Sequence, residues 1–191
     1  MLFRRLALVV LALVALAGCH TTPPQQRLPT LSFSQFRPYR LNVGQIEVVS
    51  EFQAPLRDPH IEHVVPLPPE EAAKRWVQER LQPMGTHGFA RFIIRDARFV
   101  ERPLQVDKGI KGLFKTEQEA RYEAGLDVVV QILDDRHMPL ADVQAKASRS
   151  RTLTEGTTLN QRDRVWYEMS ESLIMEINTQ LDSLLPQYLG K

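Results

Sequence analysis

Two histidines on either side of a carboxylate are the residues in this chain best suited to metal chemistry. The segment His60-Ile61-Glu62-His63 lies in a proline-rich stretch, where Glu62 or Asp58 could add an oxygen ligand to the two imidazoles. A pair spaced in this way is more often a set of surface residues on a loop. We therefore expect no metal ion, and no other group in the sequence suggests a cofactor.

Nucleophilic catalysis has even less support in the sequence. A serine hydrolase places its nucleophile on a sharp turn within G-x-S-x-G, and this motif does not occur. Glycosidases need two convergent carboxylates, and nothing singles out one pair among the acidic residues. We expect no catalytic residues and a protein that is not an enzyme, with a hydrolase ranked third among the functions considered.

Arginines on neighbouring predicted strands could bind an anionic group such as the phosphate of a lipid or glycolipid. The alternative, which we favour, is that they pair across strands with Glu119, Glu123 and Asp127. The arginines concerned are Arg95, Arg98, Arg102, Arg149 and Arg151.

A glycine-containing segment, KGIKGLF at residues 108–114, carries apolar side chains between lysines. Exposed apolar tips of this kind often contact a partner protein or lipid headgroups, and Ile110, Leu113 and Phe114 are the candidates for such a contact. The alternative is that Leu113 and Phe114 fold back and cover the core.

The amino terminus has the pattern of an export signal. Residues 1–5 form a short cationic segment, and residues 6–17 are an uninterrupted run of leucine, alanine and valine. As a helix this run would span about 18 Å, well below the ~30 Å of hydrocarbon that a membrane-spanning helix must cross. The pattern indicates a leader that is cleaved.

Cys19, the only cysteine, directly follows this leader. The sequence Leu16-Ala17-Gly18-Cys19 resembles the bacterial lipobox. The resemblance implies cleavage between Gly18 and Cys19, a diacylglyceryl group on the thiol, and acylation of the new amino terminus with a chain such as palmitate. Two or three acyl chains hold a protein on a bilayer far more durably than one.

Ordinary secretory cleavage is the alternative, because Ala15-Leu16-Ala17 also fits an A-x-A site. It would leave an exported protein with one unpaired thiol, exposed to oxidation. The residue after the lipidated cysteine is His20, whereas enterobacterial lipoproteins retained in the inner membrane have aspartate there. The resemblance therefore favours the periplasmic face of the outer membrane, with the inner membrane as the less favoured location.

The rest of the chain is predicted to be one domain on a tether. Residues 1–18 form the signal, residues 19–30 a polar, proline-rich tether, and residues 31–191 a single domain. Without Arg4 and Arg5 of the leader, 22 of the 24 basic residues remain against 23 acidic ones. This balance argues against nucleic-acid binding, which normally needs a basic surface.

Hydrophobic periodicity predicts an α+β fold in the order β-α-β-β-β-α, a two-layer sandwich with two helices on one face of a mostly antiparallel sheet. Apolar residues alternate most regularly in the strand at residues 121–133, which forms a hairpin with its successor. The predicted strands are residues 39–52, 89–100 with a bulge near Arg95-Asp96, 121–133 and 141–148. The predicted helices run from Pro68-Pro69 to about Gln82 and from an N-cap at Asn160 to Pro186.

This order, behind a lipobox and a tether, resembles the architecture of small envelope lipoproteins such as the ABC-type transport auxiliary lipoproteins and the LPS-assembly lipoprotein. The resemblance implies a role and no functional residue. We expect a non-enzymatic envelope protein that presents a sheet edge or loop to a transport or assembly complex. The alternative is a lipid or glycolipid carrier with a pocket between sheet and helices. The sequence does not name the partner or the oligomeric state.

The role of Cys19 can be tested by replacing its thiol. We expect Cys19→Ala to abolish acylation, because the chain has no other cysteine thiol to accept the diacylglyceryl group. Mass spectrometry of the wild-type protein should show the acyl chains on residue 19, and membrane fractionation should show that the variant loses its lipid-modified form. An unmodified Cys19 in the wild-type protein would contradict the prediction.

Overall fold

A computed structural model of the chain describes residues 27–104, 118–154 and 156–186. The predicted signal, the cleavage site at Gly18 and Cys19, and most of the tether lie outside the described residues. The predicted contact residues Ile110, Leu113 and Phe114 also lie outside them.

The described residues contain seven strands and two helices. The strands are β1 (Tyr39–Leu41), β2 (Gln45–Ser50), β3 (Leu81–Pro83), β4 (Phe89–Asp96), β5 (Phe99–Pro103), β6 (Gln118–Leu133) and β7 (Pro139–Thr154). The helices are α1 (Pro69–Arg80) and α2 (Leu159–Leu184). Within the described ranges, neither helix combines the length and apolar content needed to cross a membrane.

β6 is the central strand of a five-stranded sheet, and β7 forms a hairpin with it and lies at one edge of the sheet. Each strand is 16 residues long. On the other side of β6, β4 pairs with its second half and β5 with its first half, both antiparallel. β2 pairs with β4 in parallel and ends the sheet on that side, while β1 and β3 form a separate parallel pair. The sheet is therefore mostly antiparallel, as predicted.

Alternation along β6 and β7 places apolar side chains on one face, and both helices cover that face. Trp76 of α1 packs on Phe92 of β4 with ring centroids 5.6 Å apart, and Trp166 of α2 packs edge-on against Tyr122 of β6 at 5.4 Å. The largest fully buried side chains come from both helices, the sheet and the segments before α1. The predicted two-layer α+β sandwich is confirmed.

Several predicted boundaries were wrong. The single strand at residues 39–52 is two strands, because the chain moves from one sheet to the other at Gly44, whose backbone lies close to Thr86. The strand at 89–100 is interrupted at residues 97–98 and resumes as β5. The register shifts between Ile94 and Asp96, so the predicted bulge is confirmed.

The predicted helix ends and the end of the hairpin also required correction. α1 stops at Arg80 because Leu81 is already extended and starts β3. The N-cap of α2 is Thr158 rather than Asn160: its hydroxyl accepts from the backbone N–H of Gln161, whose side chain accepts from the Thr158 N–H. β7 continues to Thr154, beyond the predicted end at residue 148.

A largely buried polar network joins the two helices to β1. The indole N–H of Trp76 donates to Asn178 at 2.9 Å, and the amide of Asn178 donates to Asp182 at 2.9 Å. Asp182 also accepts hydrogen bonds from Arg80 and from the hydroxyl of Tyr39. Arg80 is 2% exposed and lies 4.7 Å from the ring centroid of Tyr39. The Arg80 guanidinium therefore depends on Asp182 for its counter-charge.

We expect Asp182→Ala to lower the free energy of unfolding by about 2 kcal/mol. Removing one partner of a buried ion pair typically costs 3–5 kcal/mol, and the partial exposure of Asp182 reduces this figure. Urea unfolding monitored by tryptophan fluorescence would measure the change. The control is Glu168→Ala on the exposed side of the same helix, for which we expect a change within about 0.5 kcal/mol.

Candidate functional site

The face of the sheet that no helix covers carries opposite charges that pair with one another. Arg102 contacts Glu123 across strands at 3.3 Å, as predicted, while Asp127 pairs with Lys146 at 3.3 Å rather than with an arginine. The other ion pairs on and beside this face are Arg91 with Glu47, Arg95 with Glu51, Arg98 with Asp96, and Arg121 with Glu123. The side chain of Glu119 lies outside the described part. This face is thus largely neutralised within the domain.

Arg149 and Arg151 lie on the opposite, helix-bearing face. In the register of the hairpin, Arg149 faces Ala124 and Arg151 faces Tyr122, both of which are buried under the helices. Arg98 lies on the other face, where its guanidinium stands over Gly125. Since neighbouring residues of a strand point to opposite faces, the predicted arginines cannot form one anion-binding patch.

A groove of about 350 Å³ runs between the end of β7 and the first half of α2, and we call it the rim groove. It combines polar and apolar walls. Its lining residues are Arg149, Arg151, Thr152, Leu153, Val165, Glu168, Met169 and Ser172.

The two arginines of the rim groove differ in how they are held. Arg149 donates to the hydroxyl of Ser172 at 2.8 Å and forms an ion pair with Glu176 at 2.5 Å. Its guanidinium also donates to the carbonyl of Ser148 at 2.8 Å. Arg151 is exposed and has no ion-pair or hydrogen-bond partner among the residues that the structure describes. Among the described residues, the groove therefore contains one paired guanidinium and one without a partner.

The outer edge of β7 is covered in its middle. The side-chain amide of Gln180 accepts from the backbone N–H of Lys146 at 3.0 Å and donates to its carbonyl at 2.9 Å, as a neighbouring strand would. This satisfies backbone groups that would otherwise attract another chain. At the end of the strand, the carbonyl of Thr154 accepts from the backbone N–H and hydroxyl of Thr157.

Beyond Ser148, whose carbonyl accepts from Arg149, the edge of β7 is open among the described residues. Backbone groups that point away from β6 recur at every second residue, so Ser150 and Thr152 share the outward direction of Lys146. In the described parts of the chain no backbone or side-chain group bonds to the N–H or carbonyl of either residue on that side. The open edge borders the rim groove, and its residues are exposed.

An aromatic cluster around Trp166 lies between β6 and the first half of α2. Trp166 contacts the rings of Tyr122 and Phe99, and the guanidinium of Arg162 lies 4.8 Å above the indole. The hydroxyl of Tyr122 donates to Glu101 at 3.0 Å. Burial, together with the negative charge of Glu101, raises the pKa of Tyr122 to about 12. The phenol therefore stays neutral at physiological pH.

Of the two predicted histidines, His60 takes part in a structural contact. Glu62 is buried, where it accepts from the backbone N–H of Phe99 at 2.8 Å and lies 2.9 Å from Nδ1 of His60. These bonds attach the proline-rich loop to β5, and His63 is exposed. No group of three or more metal-ligating side chains occurs in the described ranges. Glu62 therefore positions the loop.

The space between sheet and helices, where the alternative lipid pocket was expected, is filled by large buried side chains. Phe92, Leu126 and Leu173 are among those with almost no exposure. A second surface groove of about 400 Å³ lies between the segment at residues 28–31 and α1. A lipid between the layers would have to displace well-packed side chains.

Sequence reasoning overlooked the open edge at Ser150 and Thr152. Residues 148–152 are all polar or charged, so they lack the apolar alternation that identified the strand up to residue 147. That the edge is free on one side depends on which strands pair, which the pattern does not reveal.

Comparisons with known proteins find similar folds at low similarity. Neither a family model nor a curated protein matches the chain. A candidate lipoprotein from Caulobacter crescentus superposes with a TM-score of 0.38 and 15% identity, covering 72% of this chain and 85% of its own. A minor lipoprotein from Acinetobacter baumannii gives 0.36 and 14%, covering 74% and 89%.

A PelC dodecamer from Paraburkholderia phytofirmans gives a TM-score of 0.26 and 14% identity, covering 75% of this chain and 90% of its own. Similarity at this level carries no argument about the role of the chain.

The raised pKa of Tyr122 predicts a loss of stability at alkaline pH. The unfolded phenol loses its proton near pH 10 and the folded one near pH 12, so the stabilisation is complete below pH 10 and declines as the pH rises to 12. We expect Tyr122→Phe to reduce this decline by about 2 kcal/mol. Urea unfolding at pH 8 and at alkaline pH would measure it, and equal declines in both proteins would contradict it.

Proposed function

We propose that this protein is a lipid-anchored accessory lipoprotein of the bacterial envelope, whose non-catalytic domain docks to a transport or assembly complex. The lipobox at residues 16–19 supports the anchor, and His20 after the cysteine supports the periplasmic face of the outer membrane. The observation that carries the docking role is the open edge of β7 beside the rim groove.

The ion pairs and the helices leave few other surfaces of the domain for docking, which supports the open edge of β7 as the docking surface. The helix-free face is occupied by ion pairs within the domain, and the other face lies under α1 and α2. Gln180 covers the middle of the β7 edge, so the domain already limits where another chain can pair. The open part next to the groove offers both backbone hydrogen-bonding groups and side-chain contacts.

Site-specific photo-crosslinking in intact envelopes would test the docking role. We expect a photoreactive residue in place of Thr152 to crosslink the lipidated protein to one envelope protein, identified by mass spectrometry as part of a transport or assembly complex. The matched control carries the same residue in place of Arg136, which is exposed in the turn at the other end of the hairpin.

The crosslink should be absent from the Arg136 position, because that end of the hairpin lies outside the rim groove. It should also be lost when Cys19→Ala removes the anchor. No crosslinked product from position 152, or the same products from positions 152 and 136, would refute docking through this edge.

A further inference from the structure

We propose, building on the docking role above, that the rim groove binds an extended acidic segment of a partner polypeptide, which adds to β7 as a further strand. The backbone of the segment would pair with Ser150 and Thr152. Its carboxylates would lie on the helix-bearing side, opposite Arg149 and Arg151.

The backbone of β7 determines the conformation of the bound segment. Ser150 and Thr152 each direct one N–H and one carbonyl outward, two residues apart, which matches the repeat of an extended strand. Gln180 occupies the edge at Lys146, and Thr157 occupies the carbonyl of Thr154. The part of the β7 edge that can pair with another chain is therefore short. A helix could not form hydrogen bonds with its alternating N–H and carbonyl groups.

The side chains of the groove determine the charge of the segment. Glu168 is paired with Arg164 at 3.2 Å and Arg149 with Glu176, which leaves the guanidinium of Arg151 without a counter-charge in the described part of the chain. Cross-strand pairs of opposite charge are favourable. A carboxylate opposite Arg151 would complete the pairing, and an apolar side chain further along would meet Leu153 and Met169.

The same charges argue against a second copy of this chain as the occupant. Two β7 edges that paired antiparallel through their open parts would bring Arg149 and Arg151 of one copy opposite arginines of the other. Like charges placed directly opposite each other destabilise a strand pair. An acidic segment meets the same backbone groups without this repulsion.

Binding of short peptides to the full-length lipidated protein in detergent would test the proposal. The probes are a fluorescein-labelled peptide of alternating glutamate and valine with blocked termini, and the same peptide with lysine in place of glutamate. We expect fluorescence anisotropy to show about tenfold tighter binding of the glutamate peptide, because one of its carboxylates meets the guanidinium of Arg151. The difference should decrease as salt is added.

Two variants and one control separate the backbone from the charge contribution. Arg151→Glu should remove the preference for the glutamate peptide, and Ser150→Pro should weaken binding about tenfold by removing one outward N–H. This N–H takes no part in the pairing with β6, so proline is tolerated there. Arg136→Glu makes the same charge change at the far end of the hairpin and should leave binding unchanged.

Equal binding of both peptides, no binding at millimolar peptide, or unchanged binding to both variants would overturn the proposal. The crosslinking from position 152 remains an independent result. If it finds an envelope partner while the peptides do not bind, docking stands and strand addition is wrong. If the peptides bind and no partner crosslinks, the acidic-segment site stands and the accessory role is wrong.

Discussion

The long antiparallel pairing of β6 with β7 is the interaction on which the rest of this domain depends. One register extends from Ile132 opposite Ala141 to Ala120 opposite Leu153, with an irregularity at each end, so every side chain between these pairs has a fixed face. A slip of one residue would turn the buried row of Leu126, Val128 and Val130 towards water. The positions of both helices and of the ion pairs on the uncovered face follow from this register.

Helix packing adds a second, polar constraint to the apolar core. Trp76 and Arg80 are one turn apart on α1, and Asn178 and Asp182 are one turn apart on α2. The matched spacing connects the helices at two points, so their relative position along the axis is fixed by hydrogen bonds as well as by shape. Buried polar groups are favourable only when they are paired, and therefore the network selects one arrangement of the two helices.

The edge of β7 shows how a single strand can be partly protected and partly available. In its middle, Gln180 supplies hydrogen bonds like those of a further strand. Towards its end, the helix and the strand separate and form the rim groove around Arg151. A protected middle restricts association to a short window, which favours one specific segment over indiscriminate pairing with other strands.

The sequence by itself determined the class of fold. Alternation in β6 and the three- and four-residue spacing in both helices are local patterns, so they were readable. The tertiary structure decided where residues 39–52 change sheets, which face carries each arginine, and which strand lies at the edge. Local periodicity tells which side of an element is apolar, but the neighbour of each strand depends on contacts distant in sequence. For the same reason the sequence suggested that Arg95 and Arg98 form one patch with Arg149 and Arg151. The pairing register instead places Arg98 on the face opposite to the β7 arginines.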